Sequence, residues 1–133
     1  MPAQHFIDND AKTIITTWKG EANDLNFLDT LERYQKDIQS NPDYLTYNEI
    51  VNLGDATELN FTIPGLLKIG RIASRTDRSE AQRKLAIVVN SDKAFRFAKL
   101  YETYRGFVKS SNKEVNVFRT QHDAMNWISI GNK

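Results

Sequence analysis

The chain has 133 residues, of which 40% are hydrophobic and 26% are charged, and its formal net charge is +1. This composition is typical of soluble globular domains and excludes a disordered chain. Cysteine is absent, which excludes disulfides and thiolate metal sites. No apolar run approaches the roughly 20 residues that span a bilayer, and residues 1–10 do not resemble a signal peptide. We therefore expect one cytoplasmic domain over residues 1–133, without stable insertion into a membrane.

The first predicted elements are two strands and a helix. Residues 4–8 and 12–18 are rich in apolar and β-branched side chains and flank a polar turn, which favours an antiparallel hairpin that ends at Gly20. Asn23 or Asp24 then caps a helix. Its apolar stripe follows helical spacing and consists of Phe27, Leu28, Leu31, Tyr34 and Ile38.

A third strand is predicted over residues 44–53, followed by a loop over residues 54–59. Thr62 caps a second helix with Pro64 in its first turn, where the missing backbone N–H costs nothing. The residues of this helix that we expect to face inward are Leu66, Leu67, Ile69, Gly70 and Ala73.

Residues 85–89 form an unbroken apolar run that polar residues stop at once. Such a run is typical of a strand that is buried on both faces. We predict that it is the middle strand of a sheet, with alternate residues on two buried faces. Ser91 caps a third helix, whose predicted outer face carries Lys93, Arg96, Lys99 and Arg105.

A short strand at residues 115–118 and a final helix capped by Thr120 complete the order ββαβαβαβα. Strands that are separated by helices are expected to be parallel. The sequence therefore predicts an α/β fold with four helices and a five-stranded mixed sheet. Its antiparallel member is the first strand, at one edge.

The element order, with the strands at residues 50–53, 85–89 and 115–118 and the segment 123–128, resembles the SpoIIAA-like family of STAS-type domains. The resemblance covers nearly the whole chain but includes no active-site motif. It implies a small bacterial-type domain related in fold to anti-anti-sigma factors and more loosely to lipid-binding modules. Where related domains often carry Asp in the third strand, this chain has Asn52.

Anti-anti-sigma relatives are switched by phosphorylation of a serine at the start of the second helix, in an Asp-Ser-Ser-Gly-type motif. The resemblance places residues 60–62 there, and Phe61 falls at the acceptor position, where no phosphate can be added. Thr62 is one residue further on and could accept a phosphate at a helix N-terminus. Capping explains Thr62 without a kinase, so we expect it to be unmodified.

The carboxyl ends of the predicted parallel strands are the best-defined position for a ligand. In open α/β sheets, ligands bind beyond these ends, near helix N-termini. The residues predicted at this rim are Asp55, Thr57, Asn60, Thr62, Asn90, Ser91 and Asp92. Helix capping alone accounts for Thr62 and Ser91, so ligand binding and a structural role both stay open.

A second candidate site is a basic stripe on the outside of the second helix and the segment after it, formed by Lys68, Arg71, Arg75 and Arg78. It could contact phosphates, an acidic partner or solvent alone. The lack of interleaved exposed aromatic residues, with a pI of 7.9, argues against nucleic acid. The lack of flanking exposed Trp or Phe argues against a membrane surface.

The net charge conceals two halves of opposite sign. Residues 1–62 hold 11 acids and 4 bases, for a charge of −7, and residues 63–133 hold 14 bases and 6 acids, for +8. The imbalance can be neutralised within the fold, by an anionic ligand or between molecules. With aromatic residues such as Phe95 left outside the predicted core, a salt-sensitive homodimer is one expected outcome.

Neither histidine belongs to a catalytic or metal-binding pattern. His5 and His122 are far apart in sequence and lack the spacing of metal ligands, and no glycine-rich phosphate loop is present. We therefore expect a non-enzymatic domain, without cofactor or metal, that binds a protein partner or a small apolar or anionic ligand. The alternative is a phosphorylation-controlled switch of the anti-anti-sigma type.

Overall fold

The computed structural model describes residues 3–74, 83–106 and 113–130. Its strands are β1 (Ala3–Asp8), β2 (Thr13–Asn23), β3 (Asn48–Asn60), β4 (Arg83–Val88) and β5 (Lys113–Phe118). Its helices are α1 (Asp24–Gln39), α2 (Ile63–Ala73), α3 (Asp92–Arg105) and α4 (Gln121–Ser129), with a short 3₁₀ helix at Pro42–Thr46.

The strands form one five-stranded sheet in the order β1-β2-β3-β4-β5. β1 pairs antiparallel with β2, and the other three pairs are parallel. The predicted α/β class, the order ββαβαβαβα and the antiparallel edge strand are therefore confirmed. The prediction that residues 85–89 form the middle strand is wrong, because β3 occupies the centre of the described sheet and β4 lies between β3 and β5.

β4 is nevertheless buried on both faces, as predicted. Leu85, Ile87 and Val89 pack in the core beneath α1, α2 and α3. Ala86 and Val88 pack on the opposite face, against Ala124 and Ile128 of α4. The sheet thus has three helices on one face and one helix on the other, and each layer buries one set of alternating residues.

β2 and β3 are longer than predicted. β2 continues through Gly20, which adopts a φ of +84° next to a shift in register, and ends at Asn23. Glycine adopts this backbone region without the strain that a side chain would bring. Because β2 continues, residues 54–59 find a strand partner and are not a loop. Tyr44, predicted to begin β3, belongs to the 3₁₀ helix.

α2 packs closely against the neighbouring helix α3. A side chain at Gly70 would begin 2.4 Å from the ring of Tyr104, so glycine permits this approach. Leu67, predicted to face inward, is 41% exposed, while Ile72 is buried in its place. The reason is angular, since Leu67 is turned by about 100° from Leu66 on the helix.

The predicted caps of three helices are confirmed. Thr62, Ser91 and Thr120 each accept a hydrogen bond from the backbone N–H three residues later, at 3.0–3.1 Å. Within the described ranges, no helix combines the length and the apolar character needed to cross a membrane.

Substitution of Ile87 by Asp should unfold the protein. The side chain of Ile87 is buried in the main core, and an unpaired carboxylate there loses its hydration without gaining a partner. Circular dichroism should show loss of the cooperative thermal transition. The matched control is Leu100→Asp, because Leu100 is 43% exposed on α3. A folded Ile87→Asp protein would contradict the assignment of β4 as an interior strand.

Candidate ligand-binding cavity

A cavity of about 120 Å³ lies between the sheet and helices α1, α2 and α3. Its walls are mostly apolar, and representative wall residues are Trp18, Leu31, Leu66, Ile69, Ile87 and Ala98. Trp18 is almost completely buried and stacks on Phe27, whose ring meets that of Phe61 edge to face. Rigid aromatic side chains therefore form one side of the cavity.

The polar side chains that line this cavity gather at the amino end of the parallel strands. Glu49 lies at the start of β3 and Lys113 at the start of β5. Tyr34 reaches the same place from α1, and Arg105 reaches it from the last turn of α3. The cavity therefore has an apolar body and one polar end.

Glu49 is the centre of the polar end. The Tyr34 hydroxyl donates to Glu49 Oε2 at 2.7 Å, and Lys113 Nζ donates to Oε1 at 2.5 Å. A guanidinium nitrogen of Arg83, at the start of β4, lies 3.9 Å from the same Oε1. The carboxylate thus connects three adjacent strands and helix α1.

These contacts keep Glu49 ionised. Burial alone would raise the pKa of Glu49, but the charges of Lys113 and Arg83 and the hydrogen bonds from Lys113 and Tyr34 outweigh it. Together they lower the pKa from 4.5 to about 2. Burial, followed by the charge of Glu49 and the hydrogen bond to it, raises the pKa of Tyr34 well above its ordinary value.

His5 lies beside this cluster and also lines the cavity. Its Nδ1 is 2.8 Å from the Thr16 hydroxyl, and its ring lies 4.7 Å from that of Tyr34. Burial lowers the pKa of His5, against the raising effects of the Asp37 and Glu49 charges. The lowered pKa favours the neutral imidazole, which contributes a polar group to the cavity.

Arg105 was predicted on the outer face of α3, and this prediction is wrong. Arg105 is only 2% exposed, and it donates a hydrogen bond of 2.9 Å to the Tyr101 hydroxyl. The helical spacing Ala94, Ala98, Tyr101, Arg105 places it on the inner face at the last turn. The position of Arg105 at the end of an apolar stripe was the signal in the sequence that its side chain is buried.

Glu49, Arg83 and Lys113 were also missed as site residues. Each stands two residues before an inward apolar side chain, at Val51, Leu85 and Val115, which the period of a strand places on the same face. The sequence therefore contained a signal that the charged residue at the start of each strand faces inward. It contained no signal for which charged residues contact each other, because those contacts depend on the register of the sheet.

The predicted rim at the carboxyl ends of the strands is only partly assembled. Asn60, Asn90 and Ser91 line a cleft of about 450 Å³ between the end of β3 and the start of α3, which shares Leu53, Leu59 and Ala94 with the wall of the cavity. Asp55 lies opposite Lys19 in the register of β3 and β2, and it does not line this cleft. The side chain of Thr57 lies outside the described residues.

The remaining rim residues have structural partners. Thr62 accepts from Gly65 N as the cap of α2 and donates from its hydroxyl to Asp24 at 2.6 Å. Asp92 forms an ion pair of 2.8 Å with Arg119, whose hydrogen bond and charge lower the pKa of Asp92. A role of Thr62 and Asp92 in ligand binding therefore stays a prediction.

The structure describes two of the four residues of the basic stripe. Lys68 and Arg71 are exposed on the outer face of α2, while Arg75 and Arg78 lie outside the described residues. His122 is exposed on α4, 3.3 Å from the Asn126 amide, and is not close to His5 in the cavity. Among the residues described, no group of three or more His, Cys, Asp or Glu could hold a metal ion.

Comparison of structures places this architecture among known folds. The chain is similar to the crystal structure of an uncharacterized protein of the DUF3478 family from Shewanella loihica PV-4, which is described as having a SpoIIAA-like fold. The similarity covers 95% of this chain and 91% of the other, with a TM-score of 0.58 and 9% sequence identity. No family model and no curated protein matches the chain. The fold is therefore SpoIIAA-like, as the sequence predicted.

Glu49→Gln should lower the free energy of unfolding by about 3 kcal/mol at neutral pH, because the substitution removes the charge that Lys113 and Arg83 face. In the wild type, the lowered pKa means that this stabilisation is complete above about pH 4.5 and is lost as the pH falls towards about 2. Urea unfolding between pH 7 and pH 2.5 should therefore show a shallower acid loss in Glu49→Gln. Glu114→Gln, exposed on β5, is the control and should match the wild type.

Mass spectrometry of the protein from its own host should find Thr62 unmodified. The Thr62 hydroxyl is already engaged with Gly65 N and the Asp24 carboxylate, and an added phosphate would face that carboxylate at close range. Substantial phosphate on Thr62 would contradict this expectation and favour the phosphorylation switch.

Proposed function

We propose that this domain binds a small, mostly apolar molecule in the cavity between its sheet and helices α1–α3. The observation that supports the proposal is the cavity itself, with apolar walls from all three helices and polar groups at one end. Small-molecule sites in proteins have this composition, in which apolar walls surround a few convergent polar groups.

The energetic cost of the cavity supports a function for it. Enclosed cavities in protein cores cost about 24 cal/mol per Å³, so about 3 kcal/mol is the upper limit for a cavity of about 120 Å³ that is partly open, as this one is. A domain of this size has a total stability of roughly 5–15 kcal/mol. A ligand that fills the cavity would recover part of this loss, and its binding energy would appear as added stability.

The size of the cavity limits the ligand. An apolar cavity of roughly 150 Å³ accepts a molecule such as benzene, so a single ring or a short aliphatic chain fits about 120 Å³. Trp18 and Phe27 offer flat apolar surfaces to such a ring. A polar substituent on the ligand would point towards His5, Thr16 and the Glu49 cluster.

Glu49 and Tyr34, at the polar end, are suited to orienting a ligand and not to proton transfer. A general acid or base needs a pKa near the working pH, whereas the pKa of Glu49 is about 2 and that of Tyr34 is raised well above 10. Both groups are therefore fixed in one protonation state near neutral pH. This supports a binding domain over an enzyme that uses these residues.

Native mass spectrometry of the chain purified from its own host tests the proposal. We expect a bound molecule small enough for one ring or a short chain. As an external probe, benzene should bind to protein that has been unfolded and refolded to remove any resident ligand. Trp18 lines the cavity while Trp127 lies on the other face of the sheet, so Trp127→Phe protein reports cavity binding by its fluorescence alone.

Ala98→Leu should fill the cavity. Ala98 lines it from the middle of α3, and leucine there should raise the free energy of unfolding by about 1 kcal/mol and abolish the thermal shift caused by benzene. The matched control is Ala124→Leu, in the packed layer beneath α4, where overpacking should cost about 1–3 kcal/mol. Equal destabilisation by both substitutions, with benzene still bound by Ala98→Leu protein, would contradict the proposal.

A further inference from the structure

The outer surface of α1 and α2 combines exposed apolar residues with charges of both signs. Leu25 is 80% exposed at the start of α1, and Ile63 and Leu67 are 57% and 41% exposed on α2. One and two turns further along, α1 carries exposed acids and α2 carries the exposed bases Lys68 and Arg71. An exposed apolar patch with a polar rim is a feature of protein–protein contact areas, whereas single exposed apolar residues are ordinary.

Helices α1 and α2 run parallel, and their first turns lie at the same level. At their amino ends, the Thr62 hydroxyl donates to the Asp24 carboxylate at 2.6 Å. Further along, the Gln35 side chain donates to the backbone carbonyl of Ile72. Glu32 on α1 therefore lies at about the same level as Arg71 on α2, and Leu25 lies level with the first turn of α2.

The exposed acid Asp29 of α1 pairs with Arg33 at 3.1 Å, one turn further along the same helix. Among the described residues, no ion pair joins Glu32 to a base, and Lys68 and Arg71 form none with an acid. α1 thus presents a carboxylate and α2 presents cations at matching levels of one surface, separated by the spacing of two helices. Glu32 and Arg71 are both exposed to solvent.

We propose that this surface binds a second copy of the chain as a two-fold symmetric dimer. A two-fold axis that runs parallel to α1 and α2, between them, places each α1 on the partner's α2 at the same level. Glu32 of each copy then faces Arg71 of the other, and Leu25 faces the apolar first turns of the opposite α2. Because of the symmetry, each of these contacts occurs twice in the dimer.

The charges select this partner over others. A lipid surface or nucleic acid is anionic and would attract Arg71 but repel Glu32 beside it. A second copy offers both signs in the required order. Phe95, which the sequence suggested as a contact residue, is half-buried against the core with Arg119 above its ring at 4.6 Å, so the contact is assigned to α1 and α2.

The dimer should be weak. Helices of 16 and 11 residues, at about 1.5 Å per residue and roughly 10 Å in width each, offer roughly 400 Å² per copy. Interfaces below about 1,200 Å² in total belong to weak, transient complexes, so we expect a dimer that forms only at high protein concentration. The charged pairs at its rim should make the dimer sensitive to salt.

Sedimentation velocity of the 133-residue chain at increasing concentration, in about 0.02 M and about 0.5 M NaCl, tests this inference. Arg71→Glu should weaken the dimer about tenfold in low salt, because like charges then face each other twice. The double exchange Glu32→Arg/Arg71→Glu should restore it to near the wild-type constant. Arg96→Glu, exposed on α3, changes the net charge equally and should leave the dimer intact.

A monomer at all concentrations in low salt would overturn the proposal. So would a dimer that Arg71→Glu does not weaken, or one that the double exchange does not restore. Flotation with phosphatidylserine vesicles addresses the competing partner, since binding of a monomer to vesicles that Arg71→Glu abolishes would assign the surface to a membrane instead. The outcome is independent of the cavity, because none of the substituted residues lines it.

Discussion

The ionised carboxylate of Glu49 is the contact on which the rest of the structure depends. It holds the starts of β4 and β5 against β3 through Arg83 and Lys113, and it holds α1 through the hydroxyl of Tyr34. Taking several charges out of water is expensive unless each finds a partner and further hydrogen bonds. These polar side chains occupy one end of the space between the sheet and helices α1–α3. Apolar side chains therefore do not fill that end.

The fold offers two neighbouring ligand positions, a cleft and a cavity, which share Leu53, Leu59 and Ala94 in their walls. At the carboxyl ends of the strands, where ligands of open α/β sheets commonly bind, the cleft is lined by polar and apolar residues and includes a helix cap, Ser91. The cavity has an apolar body, and its polar groups, at the amino ends of the strands, hold one another in place. Burial of an apolar ligand releases ordered water, so the cavity offers the larger gain for a small uncharged molecule.

Element type and order were predictable because they depend on local periodicity, as in the run from Leu85 to Val89 and the caps Thr62 and Ser91. Strand ends were not, since residues 54–59 become a strand only because β2 continues beside them. The cavity residues were missed for a similar reason. The burial of Arg105 and Lys113 depends on contacts between distant elements, and a basic side chain in a sequence is most often exposed.

The central claim is that the cavity accepts a small apolar molecule, and methyl NMR of benzene-saturated protein tests it most directly. Methyl resonances of Leu66, Ile69 and Ile87, which line the cavity, should shift with saturable binding. Those of Ala86, Val88 and Ile128, on the opposite face of the sheet, should not move. Unchanged resonances of the cavity methyl groups, or equal shifts on both faces, would contradict the account.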